Sequence, residues 1–346
     1  MTQDEFYDII LSPAYDFLRT DPHLGENIMF LTLGGSHAYG TNVEGSDVDV
    51  RGCAMNSPQD VLGFSNFEQR VDTVTDTTIF GFNKLVSLLL SCNPNTIELL
   101  GNKPDQYFYV APAGQMLLEN KKLFLSQTAI HAFGGYANQQ LRRLQNALAH
   151  DHYPQDEKER HILGTCKSVF ENFRLQHADI PGDSVRLYID KGVTEGMDTE
   201  IFIDCDLKHY PLRSFKEMNS DLGTVIGQYA KLGKRNSKKD DQHLNKHAMH
   251  LVRLYLMCFD ILEKGEINTY RENDRDFLLE IRAGKFQKPD GTYYQEFFDL
   301  IDQYEKRLQY DKANTMLPKT PDYKRVEELV MEVNYHACTT RYPPAA

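Results

Sequence analysis

Two short clusters in this chain combine the residue types that bind phosphate and metal. The run Leu31-Thr32-Leu33-Gly34-Gly35-Ser36-His37-Ala38-Tyr39-Gly40 is followed by Ser46-Asp47-Val48-Asp49-Val50-Arg51-Gly52. An apolar strand predicted over 28–33 enters glycines and a serine, and a second predicted strand then opens with carboxylates at i and i+2. Residues two apart on a strand share a face. Asp47 and Asp49 can therefore grip one divalent cation while Val48 and Val50 turn to the core. Gly34 and Gly35 carry no side chain, which leaves backbone N–H groups and the Ser36 hydroxyl open to phosphate. A phosphate-binding turn and a metal dyad on adjacent strands imply nucleotidyl transfer. A calcium loop is the main competing reading of Asp-x-Asp. It needs more oxygen ligands and a bidentate Glu about twelve positions from its start, whereas Glu44 precedes the dyad and nothing suitable follows it.

Transfer of a nucleotidyl group calls for in-line attack on an α-phosphate, with two cations about 4 Å apart stabilising the entering and leaving oxygens. Arg51 lies two residues beyond Asp49, on the same strand face, where it can neutralise phosphate or orient the carboxylates. His37, Tyr39 and Thr41 sit on the connector between the strands; Tyr39 either stacks on a base or packs. A helix over 243–264 carries an apolar stripe of Leu244, Ala248, Leu251, Tyr255, Cys258 and Leu262. Lys246, His250 and Arg253 fall together on the opposite side, between apolar flanks at Val252, Leu254 and Met257. Cations in apolar surroundings require anionic partners, either a bound triphosphate or an internal carboxylate network.

The pattern Gly35-Ser36 with Asp47-x-Asp49 resembles the signature of the DNA polymerase β nucleotidyltransferase superfamily. The fuller strings from Gly35 to Thr41 and from Ser46 to Gly52 are similar to the nucleotidyltransferases of the RNA-repair-pathway, or RlaP-like, type. Asn93-Pro94-Asn95-Thr96-Ile97-Glu98-Leu99-Leu100 and Asn245-Lys246-His247-Ala248-Met249-His250-Leu251-Val252-Arg253-Leu254 read like blocks of the same family. The resemblance implies Mg2+ or Mn2+ held by Asp47, Asp49 and a third carboxylate on a later strand, an NTP as substrate, and an RNA or tRNA 3′ end as acceptor. Asp72 and Asp76 are both available for that third position. Asp76 is preferred, because Asp76-Thr77-Thr78-Ile79-Phe80 leads into the helix near Phe82 as the family pattern does. Gly35, Ser36, Arg51, Lys246, His250 and Arg253 are the expected nucleotide-binding residues, with Lys246 on the phosphates. No chemical role is implied for Glu98. Two other readings stand beside the RNA-directed one: AMP transfer to a protein hydroxyl, and a nucleotide-binding module without turnover.

The elements that must position these residues read as an α+β chain. A catalytic domain over 1–125 would hold a small mixed sheet, with strands over 28–33, 47–55 and 70–80. A mainly helical domain over 126–346 would carry an inserted β-hairpin formed by 185–189 and 200–204. Further helices are predicted over 3–19 with a break at Pro13, and over 83–90, 127–149, 212–231, 273–283, 292–309 and 322–336. Asn93 and Pro94 should open a short helix that Gly101 stops. No apolar run approaches the roughly 20 residues of a membrane span, and the acidic start Met-Thr-Gln-Asp-Glu-Phe has no basic segment of the signal-peptide kind. Six widely spaced cysteines without a C-x-x-C pair read as reduced, buried thiols of a cytoplasmic protein. The net charge of −12 lacks the basic bias of proteins that hold long nucleic acids by the backbone. The local exception is the basic run from Lys231 to Lys239, either a solvated loop or a clamp on an RNA end.

Overall fold

The strand 28–33 is apolar apart from Thr32, without the polar alternation of a half-exposed strand, because both of its faces are covered. A computed structural model of the chain describes residues 3–152, 184–193, 199–220, 222–223, 241–289 and 291–341. In it β1 (Ile28–Leu33) is buried at all six positions. It pairs antiparallel with β2 (Val50–Ala54) on one side and β5 (Tyr107–Val110) on the other. β4 (Thr77–Gly81) runs parallel to β2, and β3 (Gln69–Asp72) closes the edge antiparallel to β4, giving the order β3-β4-β2-β1-β5. The mixed sheet followed by helices is the expected α+β class. The inserted hairpin is present as β6 (Val185–Lys191) and β7 (Thr199–Cys205).

Contacts divide the chain into two compact units, Met1–Leu141 with Asn245–Ala346, and Arg142–Leu244. The first holds the five-stranded sheet and the helices that follow Asn245. In the second, Val185, Met218 and Leu222 form a small core beneath the hairpin. The helix expected over 212–231 is helical at 212–220 and 222–223. Its remainder and the basic run Lys231–Lys239 lie outside the described residues.

Three local readings are corrected. The second strand begins at Val50 rather than Asp47, since the ladder with β1 starts at the pair Leu33 and Val50. The segment 70–80 is two strands joined by a turn. There the Asp72 carboxylate accepts from the backbone N–H of Val74 (3.1 Å) and Thr75 (3.0 Å), the self-capping that lets Asp initiate turns, and Asp76 takes the left-handed conformation at φ 45°. Among the thiols, Cys53, Cys92 and Cys258 are buried as expected, but Cys205 is exposed and Cys338 intermediate; Cys166 lies outside the described residues. β5 and the helix Pro112–Glu119 were not anticipated.

Elsewhere local signals decide the outcome. Pro13 ends the first helix, leaving Gln3–Ile10 and Phe17–Thr20 on either side of a 3-10 turn. Asn93 caps the helix Pro94–Ile97 by accepting from the Asn95 N–H at 3.0 Å. The later helices span Thr128–His152, Asp241–Phe259, Arg275–Arg282, Gln295–Asn314 and Tyr323–Arg341.

The short helix Gly35–Tyr39 after β1 is fixed largely by distant residues. Gln106 donates its amide to the carbonyls of His37 and Ala38. The Arg271 N–H donates to Tyr39 O at 3.1 Å, Arg275 Nε to Gly40 O at 2.7 Å and Arg282 Nη1 to Thr41 O at 2.7 Å. Carbonyls at and just beyond a helix end are short of intrahelical donors, and the Gly40 N–H reaches only that of His37 among these, at 3.3 Å. Arg282→Ala removes a charged donor from Thr41, which is fully buried, and should destabilise the protein by about 1–3 kcal/mol in urea unfolding. Lys324→Ala, which breaks an exposed contact to Glu328, should cost less than about 0.5 kcal/mol.

A buried carboxyl in the helix Gln295–Asn314 makes stability depend on pH. Burial, followed by the charge of Glu263, pushes Asp311 up to about 6. The folded state therefore holds a proton that the unfolded chain releases near pH 4, so this group's contribution to stability falls as pH rises from about 4 to about 6. Asp311→Asn should raise the melting temperature at pH 8 and leave it unchanged near pH 3.5. An equal shift at both pH values would mean that the effect is packing rather than ionisation.

Candidate active site

The parallel register of β2 and β4 sets Val50 opposite Thr77. The residues that immediately precede this pair, Asp49 and Asp76, are thereby brought together at the strand ends, in hydrogen-bond contact through their carboxyls. Burial first, then the hydrogen bond to Asp76, pushes Asp49 up to about 6, with Arg51 and Lys246 opposing. Asp76 moves the other way, held down chiefly by the hydrogen bond that it accepts from Asp49 and next by Arg51. The two carboxyls are pushed in opposite directions, as neighbouring carboxylates that cannot both ionise at ease are.

Arg51 spans the pair. Its Nη2 lies 3.2 Å from Asp49 Oδ1 and 3.1 Å from Asp76 Oδ1, and its Nη1 donates to the Asp76 carbonyl. Asp72 takes no part: on the outer strand β3, opposite Thr77, its carboxylate is engaged in the turn. Asp47 is exposed, two residues before Asp49 on the approach to β2. Among the described residues, no group of three or more His, Cys, Asp or Glu side chains is gathered as a metal-ligand cluster. In donor type, however, the site fits a hard divalent cation, which prefers carboxylate oxygens. The upward push on Asp49 beside Asp76 marks a place where negative charge is under-compensated.

The glycine turn closes against the same pair. Gly35 has φ +53°, and a Cβ built there would lie 1.7 Å from Asp49 Oδ2. The Gly34 N–H donates to the Asp49 carbonyl at 2.8 Å, which ties the start of the helix Gly35–Tyr39 to β2. Ser36 sits half-exposed in its first turn, where backbone N–H groups precede the first intrahelical bond, from Ala38 to Gly34 O. His37 Nε2 lies 3.3 Å from Ser46 O.

The cationic stripe of the helix Asp241–Phe259 divides. Lys246 is exposed and its charge lowers both Asp49 and Asp76. Arg253 is 8% exposed and its guanidinium lies 3.4 Å from the centroid of the Tyr39 ring, with Nη2 donating to His250 Nδ1 at 2.7 Å. Tyr39 is buried and donates its hydroxyl to Glu98. Burial pushes Glu98 up, while Arg253 and Arg51 oppose the shift. Tyr39 therefore packs, Arg253 and His250 serve the layer beneath the turn, and Lys246 alone of the three acts on the carboxylates.

Sequence reasoning missed Gln106, Tyr270, Arg271, Arg275 and Arg282. Tyr270 sits so close to Gly40 (φ +72°) that a Cβ there would approach its ring to 2.6 Å. The dense charges of Arg271-Glu272-Asn273-Asp274-Arg275 were visible, but no spacing ties them to a turn some 235 residues earlier.

This constellation is a mixed sheet with carboxylates at adjacent strand ends facing a Gly-Ser turn. Residues 15–170 match the family described as RlaP, RNA repair pathway DNA polymerase beta family, which the motifs had indicated and which points to a nucleotidyltransferase-type function. No curated protein and no solved structure matches the chain.

The close approach at Gly35 is directly testable. Gly35→Ala meets both a positive φ and the Asp49 carboxylate, whereas Gly45 (φ +77°) has open space around it. Gly45→Ala should cost about 1–2 kcal/mol of backbone strain. Gly35→Ala should cost about 1–3 kcal/mol more, through overpacking. Equal losses in chemical denaturation would show that the turn and Asp49 are not in contact.

Proposed function

We propose that this protein is a metal-dependent nucleotidyltransferase that moves an NMP from an NTP to an acceptor hydroxyl, with an RNA or tRNA 3′ end as acceptor. The observation that carries the reading is the juxtaposition of Asp49 and Asp76 by the parallel register, facing the Gly35-Ser36 turn. Asp47, Asp49 and Asp76 would hold Mg2+ or Mn2+, which would supply the Lewis acidity that offsets charge developing on the α-phosphate.

The protein's own residues would orient the substrate. The N–H groups of Gly35 and Ser36 and the Ser36 hydroxyl are donors for the terminal phosphates. Lys246 adds a charge that acts on the phosphate side of the carboxylates, and Arg51, already between Asp49 and Asp76, would keep them aligned or pair with a phosphate oxygen. Arg253 and His250 would act at one remove, by holding Tyr39 beneath the turn. The acceptor oxygen attacks the α-phosphorus, the bond to the bridging oxygen breaks, pyrophosphate departs and the hydroxyl proton leaves to solvent.

The net charge of −12 keeps a protein hydroxyl open as the alternative acceptor, as in AMP-transferring antitoxin-like enzymes; a nucleotide-binding module without turnover is the third reading. No described helix is long and apolar enough to cross a membrane, and the widely spaced thiols suit a cytoplasmic setting.

Incubation with each radiolabelled NTP, Mg2+ and either total tRNA or candidate proteins separates the readings by where label appears. Asp49→Asn should abolish transfer with the melting temperature unchanged or raised, because a crowded carboxylate is lost. Asp76→Asn should reduce turnover by about two or more orders of magnitude with NTP binding retained, on the scale of losing one metal-centred stabilising element. Asp72→Asn should be mild, and Lys246→Ala should weaken NTP binding. Full activity of Asp49→Asn would sink the mechanism, and a reversed ranking of Asp72 and Asp76 would move the third carboxylate.

A further inference from the structure

A second concave surface lies on the first compact unit, away from the carboxylate pair. The segment from Ile267 to Asp274 lines one side of it, with Gly101–Pro104, Lys121, Leu256, Phe259, Asp260, Lys264 and Arg307 completing the wall. Its volume is about 530 Å3, within the range of small-molecule sites, roughly 300–1,000 Å3. The wall carries five cations, Lys103, Lys121, Lys264, Arg271 and Arg307, against three carboxylates, Asp260, Glu272 and Asp274. That is the reverse of a chain whose net charge is −12.

Most of the cations have partners. Arg271 is buried and paired with Asp260 and Asp274, Lys264 bonds Asp260 at 2.7 Å, and Arg307 forms a two-pronged pair with Glu263 outside the wall. Lys103 lies 3.7 Å above the Tyr270 ring and 3.7 Å from the exposed Glu272. Lys121 is different. It is half-buried and donates to the Leu100 carbonyl at 3.1 Å, but among the described residues no carboxylate pairs with it. Burial and then the neighbouring Lys122 pull its pKa down, with the charge of Glu266 only partly opposing them. An ammonium in that setting gains from an incoming anion.

We propose that this cleft is a second binding site for a small phosphate-bearing molecule of nucleotide size, with Lys121 and Lys103 as its phosphate donors. The two lysines sit at opposite ends of the Gly101–Lys121 stretch and converge on one cavity. Leu256, Ile267 and Pro104 provide apolar wall for the rest of the ligand. The aromatic faces of Tyr270 and Phe259 are already covered by Lys103 and by Arg307 at 4.1 Å, so charge rather than base stacking dominates recognition. The lining includes none of the carboxylates proposed to hold a metal, and binding there needs no metal.

Calorimetric titration of the full chain with AMP and with pyrophosphate, in EDTA, tests this without help from a cation at the carboxylate pair. Saturable binding of either probe is expected. Lys121→Glu should weaken it by about tenfold or more, the scale of one charge-assisted hydrogen bond, and Lys246→Ala should leave it unchanged. Should Lys121→Glu fail to fold, Lys121→Gln and Lys103→Gln report instead, each with a smaller loss. No binding of either probe, or binding that Lys246→Ala removes and the lysine variants of the cleft leave intact, overturns the assignment.

Discussion

The register between two parallel strands is the constraint on which the rest of the site depends. Val50 faces Thr77, so the residues one step earlier, Asp49 and Asp76, must meet. A slip of one position would turn one of them to the other face. The pairing is electrostatically costly by itself, and the surroundings offset the cost with a guanidinium between the carboxylates and the charge of Lys246. The Gly35 turn then has to be glycine, because Asp49 occupies the space a side chain would need.

What was legible in the sequence was local in origin. Asn93-Pro94 and Pro13 act on their own neighbours, and β1 shows itself by a run that is apolar but for Thr32. The Asp47-x-Asp49 and Gly35-Ser36 elements were visible for the same reason. The pairing of Asp49 with Asp76 was not, since it arises from a ladder between segments and not from spacing within one. The turn inside 70–80 was hidden because Val, Thr and Asp alternate there as a single strand would, and only the self-capping of Asp72 and the left-handed Asp76 break it. The cationic stripe is away from water only at Arg253, with His250 half-buried and Lys246 exposed, and helical spacing alone does not separate Lys246, which acts on the carboxylates, from Arg253, which packs on Tyr39.

The layer below the turn explains that division. Tyr39, Glu98 and Arg253 form a buried polar set in which each member meets the need of another: the hydroxyl has an acceptor, the carboxylate feels a cation, and the guanidinium covers an aromatic face. Such sets fix one arrangement of the backbone above them, because a partial set leaves buried charge uncompensated.

The anchoring of residues 39–41 by Arg271, Arg275 and Arg282 has a consequence for the timing of synthesis. The bonds from Arg275 and Arg282 close loops of 235 and 241 residues. A ribosome adding about 5–20 residues per second needs roughly 10–50 s to bring those arginines out after the turn has emerged. During that interval the strand, the glycines and the aspartates already exist, but the carbonyls of Tyr39, Gly40 and Thr41 lack the donors that Arg271, Arg275 and Arg282 supply. A chain interrupted between Arg253 and Arg271 therefore carries every residue of the candidate chemistry and lacks the three arginines that anchor the end of the turn, so the maturity of the site is coupled to the synthesis of the segment 271–282.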